Sequence, residues 1–69
     1  MKKTIAKAIK EYRLSHGLTQ LDIAIKSGKS IRSIKRYEKG DMIPSINTLE
    51  AIFDKPIQNM LYSNLIMED

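Results

Sequence analysis

A regularly spaced set of residues in the first part of the chain constrains the fold most strongly. Its members are Gly17, Leu18, Thr19, Gln20, Ala24, Gly28, Ser30, Ile34, Arg36, Glu38 and Gly40. Thr19 followed by Asp22 resembles a capping box, so a helix is predicted from about Gln20 to Ser27. Gly28 can take the positive φ that closes this helix, and Ser30 is a natural N-cap for the next. The set therefore predicts two short helices joined by a tight turn, the second ending at Gly40.

Helical spacing of apolar residues predicts three further helices around this pair. The first runs from Thr4 to Ser15, the fourth is opened by Pro44-Ser45 and ended by Lys55-Pro56, and the fifth begins near Pro56. The residues predicted to face inward are Ile5, Ala8, Ile9 and Tyr12 in the first helix, Ile23 and Ala24 in the second, Ile34 and Tyr37 in the third, and Ile46, Leu49, Ile52 and Phe53 in the fourth. The predicted fold is all-α, a bundle of five short helices in one domain over residues 1–69.

Composition narrows the class of protein. A chain of 69 residues has room for one domain with a modest core, and it contains no cysteine for a disulfide or a thiolate metal site. Its apolar runs are far shorter than the roughly 20 residues that cross a bilayer, and no apolar stretch of a signal peptide follows Met1. We expect a cytoplasmic protein that does not enter a membrane.

Charge is distributed unevenly along the chain. Residues 1–40 contain eleven Lys and Arg against three acids, a net charge of +8, whereas residues 41–69 contain one Lys against five acids, a net charge of −4. This asymmetry favours an anionic partner approached from one side. An uneven but merely solvated surface is the plainer alternative.

The third predicted helix carries a cationic face. Arg32, Lys35 and Arg36 share the side opposite the predicted core residues Ile34 and Tyr37. Arginine can donate a fork of hydrogen bonds to the O6 and N7 atoms of guanine, and lysine binds phosphates. The face is therefore suited to the major groove of double-stranded DNA.

Taken together, residues 5 to 53 resemble the helix-turn-helix domains of the lambda-repressor and Cro type. The match is densest from Gly17 to Gly40, and Pro44-Ser45 and Thr48-Leu49 resemble the opening of the family's fourth helix. The resemblance implies a five-helix DNA-binding domain. It fades after Phe53, where Asp54-Lys55-Pro56 replaces the family's small apolar and glycine link.

The resemblance also assigns roles to individual residues. Gln20 matches a residue that holds a phosphate, with an exposed glutamine as the alternative, and Arg13 and Glu38 match a structural ion pair between the first and third helices. Lys29 replaces a usually apolar residue, so Lys29 and Lys39 are predicted phosphate contacts, with solvated lysines as the alternative. The residues at base-facing positions are Ser30, Ile31, Arg32, Lys35 and Arg36. Ile31 could instead make an apolar contact at the entrance of the helix.

Some apolar residues stand where the family is polar. They are Leu14, Leu21, Ile25 and Ile31. Leu21 and Ile25 lie four residues apart and would line up on the outer face of the second helix, either as a partner surface or as part of a locally shifted core. The predicted fifth helix also has more apolar residues than one core contact needs, so Tyr62, Leu65 and Ile66 in the element 56–69 are a predicted dimer or partner surface.

The sequence contains few residues that could form a catalytic or metal-binding site. His16 is the only histidine, and no paired acids, triad or metal-ligand cluster accompanies it. We therefore expect no enzyme activity, no metal and no cofactor.

Two hypotheses follow for function. The first is a sequence-specific bacterial or phage transcription regulator, most simply a repressor, that binds an operator as a homodimer through its third helix. The alternative is a protein-interaction module with the same fold, such as an antirepressor or antitoxin, that docks on another regulator.

Overall fold

The computed structural model describes residues 2–56, which form four helices. They are α1 (Lys2–Ser15), α2 (Gln20–Ser27), α3 (Ile31–Lys39) and α4 (Ile46–Phe53). The described residues contain no strand, so the predicted all-α class is confirmed for this part of the chain. The fifth helix predicted from near Pro56, including the predicted surface residues Tyr62, Leu65 and Ile66, lies outside the described residues.

Local side chains define where the helices begin. The Thr19 side chain accepts a hydrogen bond from the backbone N–H of Asp22 at 3.0 Å, and the Asp22 carboxylate accepts one from the backbone N–H of Thr19 at 2.8 Å. The predicted capping box is therefore confirmed. Ser30 and Ser45 cap α3 and α4 in the same way, each accepting from the backbone N–H three residues ahead. Only α1 differs from its predicted start, since it begins at Lys2 instead of Thr4.

Left-handed residues define where the helices end. Gly28 closes α2 with φ 70° and Gly40 closes α3 with φ 82°, as predicted. The end of α4 was not predicted in this form, because a non-glycine residue, Asp54, takes φ 58° there. The short connection between α2 and α3 depends on Gly28, since a left-handed residue with a side chain would cost about 1–2 kcal/mol.

A single apolar core lies between the helices. Its residues are Ile5, Ile9, Ile23, Ala24, Ile34, Tyr37, Leu49 and Ile52. The predicted inner face of α1 is wrong in one position, because Ala6 is buried and Ala8 is only half-buried. Ala6, Ile9 and Arg13 follow one another along one side of a helix. The inner face of α1 is therefore rotated towards Arg13, which contacts α3 as described below.

The four apolar residues at unusual positions are all exposed. The exposed fractions are 60% for Leu14, 54% for Leu21, 73% for Ile25 and 41% for Ile31. The alternative that they belong to a locally shifted core is therefore wrong. No helix among residues 2–56 is both long enough and apolar enough to span a bilayer.

Candidate nucleic-acid interface

The outer face of α3 is cationic. Ile34 is 0% exposed and Tyr37 is 4% exposed, and these two residues fix the inner face of the helix in the core. Arg32, Lys35 and Arg36 are exposed on the other side. None of the three side chains has a hydrogen bond or an ion pair to another residue of the part of the chain that the structure describes. Their charges are therefore available to a ligand.

The first turn of α3 presents two smaller predicted contacts. The Ser30 hydroxyl accepts from the backbone N–H of Ser33 at 3.1 Å and donates to the Ser33 hydroxyl at 3.1 Å. Ser30 thus has a capping role in addition to any role in binding. Ile31 follows it directly and is exposed, so an apolar side chain lies at the surface at the start of the cationic helix.

Lys29 and Lys39 lie at the two ends of α3, one in the turn before it and one as its last residue. Both side chains are exposed. Lys39 is paired only loosely, with its Nζ 3.9 Å from Asp41 Oδ2 and both side chains more than half exposed. Such a pair contributes little to stability and leaves the lysine able to reorient.

An ion pair joins α1 to the last turns of α3. Arg13 Nε donates to Glu38 Oε2 at 2.7 Å, and Arg13 Nη2 donates to Glu38 Oε1 at 3.0 Å. The side chains are only 15% and 6% exposed. The hydrogen bonds to Glu38 raise the pKa of Arg13 above its ordinary value, so the guanidinium stays charged. Arg13 Nη1 also donates to the Leu18 carbonyl at 3.3 Å, which ties the turn before α2 to the same group.

Gln20 joins the same network. It is the first residue of α2 and is half-buried, and its Nε2 donates to Glu38 Oε1 at 3.3 Å. No sequence pattern predicts this contact, whose partners lie 18 residues apart in the chain. The structure thus brings together Arg13, Gln20 and Glu38, which the sequence assigned to two separate roles.

The sequence pattern also does not predict a second polar cluster, which contains Lys26, Asp54 and Tyr12. Lys26 Nζ contacts Asp54 Oδ2 at 2.6 Å and donates to the Tyr12 hydroxyl at 2.8 Å. Burial opposes the charge on Lys26, but the hydrogen bonds to Asp54 and Tyr12 outweigh it and raise the pKa of the lysine. The Tyr12 ring packs edge-on against Phe53, with centroids 5.2 Å apart, and stacks on His16 at 4.0 Å. This cluster connects α1, α2 and the end of α4.

His16, the one histidine of the sequence, makes local contacts. His16 is occupied by stacking and by a contact of its Nδ1 with the Tyr12 carbonyl oxygen at 2.9 Å. Residues 2–56 contain no group of three or more His, Cys, Asp or Glu side chains that could hold a metal ion. The candidate site is therefore the cationic face of α3 and the first turn of α2.

Comparison with known proteins agrees with this geometry. A family described as helix-turn-helix matches residues 9–55, which include all of α2, α3 and α4. The chain belongs to the helix-turn-helix family. This confirms the family predicted from the sequence. In this family's pair of helices, α3 is the second helix.

Two relatives have the same level of identity. Antitoxin PezA of Streptococcus pneumoniae serotype 4 is 38% identical over 65 residues, which is 94% of this chain and 40% of that protein. A protein of Pyrococcus furiosus, named as an HTH-type transcriptional regulatory protein, is 38% identical over 52 residues, which is 71% of this chain and 16% of that protein. The chain thus spans less than half the length of either relative. No solved structure was found to match it.

Proposed function

We propose that this protein is a sequence-specific DNA-binding transcription regulator that reads the major groove with α3. The observation that carries the proposal is the exposed set of Arg32, Lys35 and Arg36, directed away from the core by the buried Ile34 and Tyr37. Free guanidinium and ammonium groups on one side of a helix are the donors that base edges and phosphates accept. The relative named for transcriptional regulation supports the same class of function.

The roles of the individual residues follow from their positions. Arg32 and Arg36 are one helical turn apart, about 6 Å along the axis, so they can reach different base pairs of one half-site. Lys35 lies between them and can reach a base or the backbone. Ser30 and Ile31 at the start of α3 complete the predicted base-facing set. Gln20, Lys29 and Lys39 border it as phosphate contacts, and the N-terminus of α2 adds a partial positive charge beside Gln20.

The proposal also covers how two copies assemble on DNA and how their binding affects transcription. Two copies related by a two-fold axis would place their α3 helices on half-sites roughly 34 Å apart or a multiple of that distance. A dimer bound at a promoter would repress by excluding polymerase, in the cytosol where bacterial or phage DNA is transcribed. The proposal includes no catalytic step and no cofactor.

Alanine variants of the two arginines test the assignment of base readers. Selection from a random pool of oligonucleotides first supplies a preferred duplex. Arg32→Ala and Arg36→Ala should then each weaken binding to that duplex by about 1–3 kcal/mol and relax the preference at one base pair. Lys10→Ala is the matched control, because it removes an exposed cation from α1 instead. Equal losses on selected and random duplexes for both arginine variants would refute the assignment.

A second candidate function is a protein-interaction module that docks on another regulator. Two observations favour it: the relative named as an antitoxin, and the exposed Leu21 and Ile25 on the outer face of α2. Titration of random duplex with the protein at two salt concentrations separates the candidates. Binding that weakens steeply with salt supports the DNA reader, since counterions are released from phosphates. Absence of binding at low salt, or failure of the selection to enrich any motif, would favour the docking module.

A further inference from the structure

One carboxylate serves two partners at the edge of the candidate interface. Glu38 Oε2 accepts only from Arg13, at 2.7 Å, whereas Oε1 accepts both from Arg13 at 3.0 Å and from Gln20 Nε2 at 3.3 Å. The Glu38 side chain is 6% exposed, so water cannot easily replace either partner. The predicted phosphate contact on α2 is therefore in direct contact with an acid on the recognition helix.

This contact fixes the polarity of the Gln20 amide. An ionised carboxylate only accepts hydrogen bonds, so the nitrogen of the amide must face Glu38. The flipped amide would bring two acceptor oxygens together at the same distance. One N–H of Gln20 is used by Glu38, and the second N–H remains to donate to another acceptor.

The carboxylate is itself held in place. The two hydrogen bonds from Arg13 fix both of its oxygens, and a third Arg13 N–H donates to the Leu18 carbonyl, two residues before Gln20. The first turn of α2 is thus connected through one guanidinium to α1 and through one carboxylate to α3. Gln20 is the outermost member of this network.

We propose that Glu38 is a positioning residue for DNA affinity, which orients the Gln20 amide so that its remaining N–H donates to a DNA phosphate. The inference rests on the proposed function. It also reverses the simple electrostatic expectation, because removing an acid near a polyanion ordinarily strengthens binding. Here, removing or displacing the Glu38 carboxylate weakens DNA binding.

A double-mutant cycle on the full 69-residue chain tests the proposal. E38D keeps the charge but withdraws the carboxylate by one methylene, and Q20A removes the amide. A phosphate contact does not depend on sequence, so a random duplex serves as the probe. Each single variant should weaken binding by about tenfold, as expected for a hydrogen bond to a charged group. The double variant should bind no more than about twofold weaker than Q20A, because the two changes remove one interaction.

The cycle also separates a positioning role from a purely structural one. If Glu38 only stabilised the fold, E38D would weaken the Q20A protein as much as the wild type, and that result would overturn the proposal. Unchanged affinity of E38D would overturn it as well. Binding is compared at a temperature where thermal unfolding shows every variant to be folded. If E38D does not fold, E38Q takes its place with the same expected pattern.

A matched control addresses charge. Asp41 is an exposed acid just beyond the end of α3. D41N should leave affinity unchanged or strengthen it slightly, in contrast to the weakening expected of the Glu38 variants. Weakening by D41N equal to that by E38Q would mean that acids near α3 act through general field effects, which contradicts the proposal.

A measurement without DNA distinguishes this inference from the proposed function. The two side-chain amide protons of Gln20 should have well-separated chemical shifts in a ¹⁵N spectrum of the free protein, because only one of them faces Glu38. E38D should bring the two shifts closer together. If the wild-type protein fails to bind duplex DNA, the proposed function is wrong. If E38D leaves the Gln20 amide shifts unchanged, Glu38 does not position the Gln20 amide.

Discussion

Replacing Arg13 by methionine should destabilise the fold by about 3–5 kcal/mol at pH 7. Methionine fills part of the same space but donates nothing, so the 6% exposed Glu38 carboxylate would retain only the Gln20 amide at 3.3 Å. Removing one partner of a buried ion pair costs about 3–5 kcal/mol.

The loss should be large relative to the total stability of so small a domain. A 69-residue domain has a free energy of unfolding of only about 3–10 kcal/mol, so the variant should melt at least about 12 °C lower at pH 7.

Urea unfolding at pH 7, followed by circular dichroism, checks this prediction. The control is the double variant Arg13→Met/Glu38→Leu, which removes both charges and should recover most of the lost stability. A loss of less than about 1 kcal/mol for Arg13→Met, the value typical of an exposed pair, would contradict the prediction. A double variant as unstable as the single one would contradict it as well.

Three further outcomes are expected. Gly28→Ala should lower the unfolding free energy by about 1–2 kcal/mol. The cost comes from the φ of 70° alone, because no atom lies within 4 Å of the added Cβ. Gly28→Asn should cost less, and equal losses for the two variants would contradict a conformational origin. The backbone N–H of Thr19 lowers the pKa of Asp22 below its ordinary 3.8, so the stability that Asp22 adds over Asp22→Asn should be present at neutral pH and decrease as the pH falls below 3.8. A stability difference that stays constant as the pH falls would disprove this. Lys29→Ala should weaken all duplexes alike and reduce the salt slope by about 1, whereas an unchanged slope would remove Lys29 from the phosphate contacts.

Local features of the fold could be predicted from the sequence because their causes lie within a few residues. The capping box of Thr19 and Asp22 is complete within four positions, and Gly28 is the residue that a left-handed helix end favours. The end of α4 was not predicted in detail, because there an aspartate takes the left-handed conformation. Asp54 tolerates it better than most residues do, and its carboxylate gains an ion pair with Lys26 in that place.

The candidate site could also be predicted only in part. The direction of side chains on one helix was predictable, and the contacts between helices were not. The outward direction of Arg32 and Arg36 follows from helical periodicity once Ile34 is placed in the core. The contact of Gln20 with Glu38 and that of Lys26 with Asp54 join residues 18 and 28 positions apart. Periodicity within one helix does not determine which residues of two different helices meet. These contacts required the packing of α2 against α3 and α4.

The ion pair of Lys26 and Asp54 has a consequence for whatever follows residue 56. It anchors the final described turn of the chain to α2, and α2 shares its turn and its core with α3. The position of Asp54, two residues before the end of the described part of the chain, is therefore linked to that of α3. If two copies join through the residues that follow, a change at Lys26 or Asp54 is expected to alter the distance between their α3 helices while leaving the exposed Arg32, Lys35 and Arg36 in place.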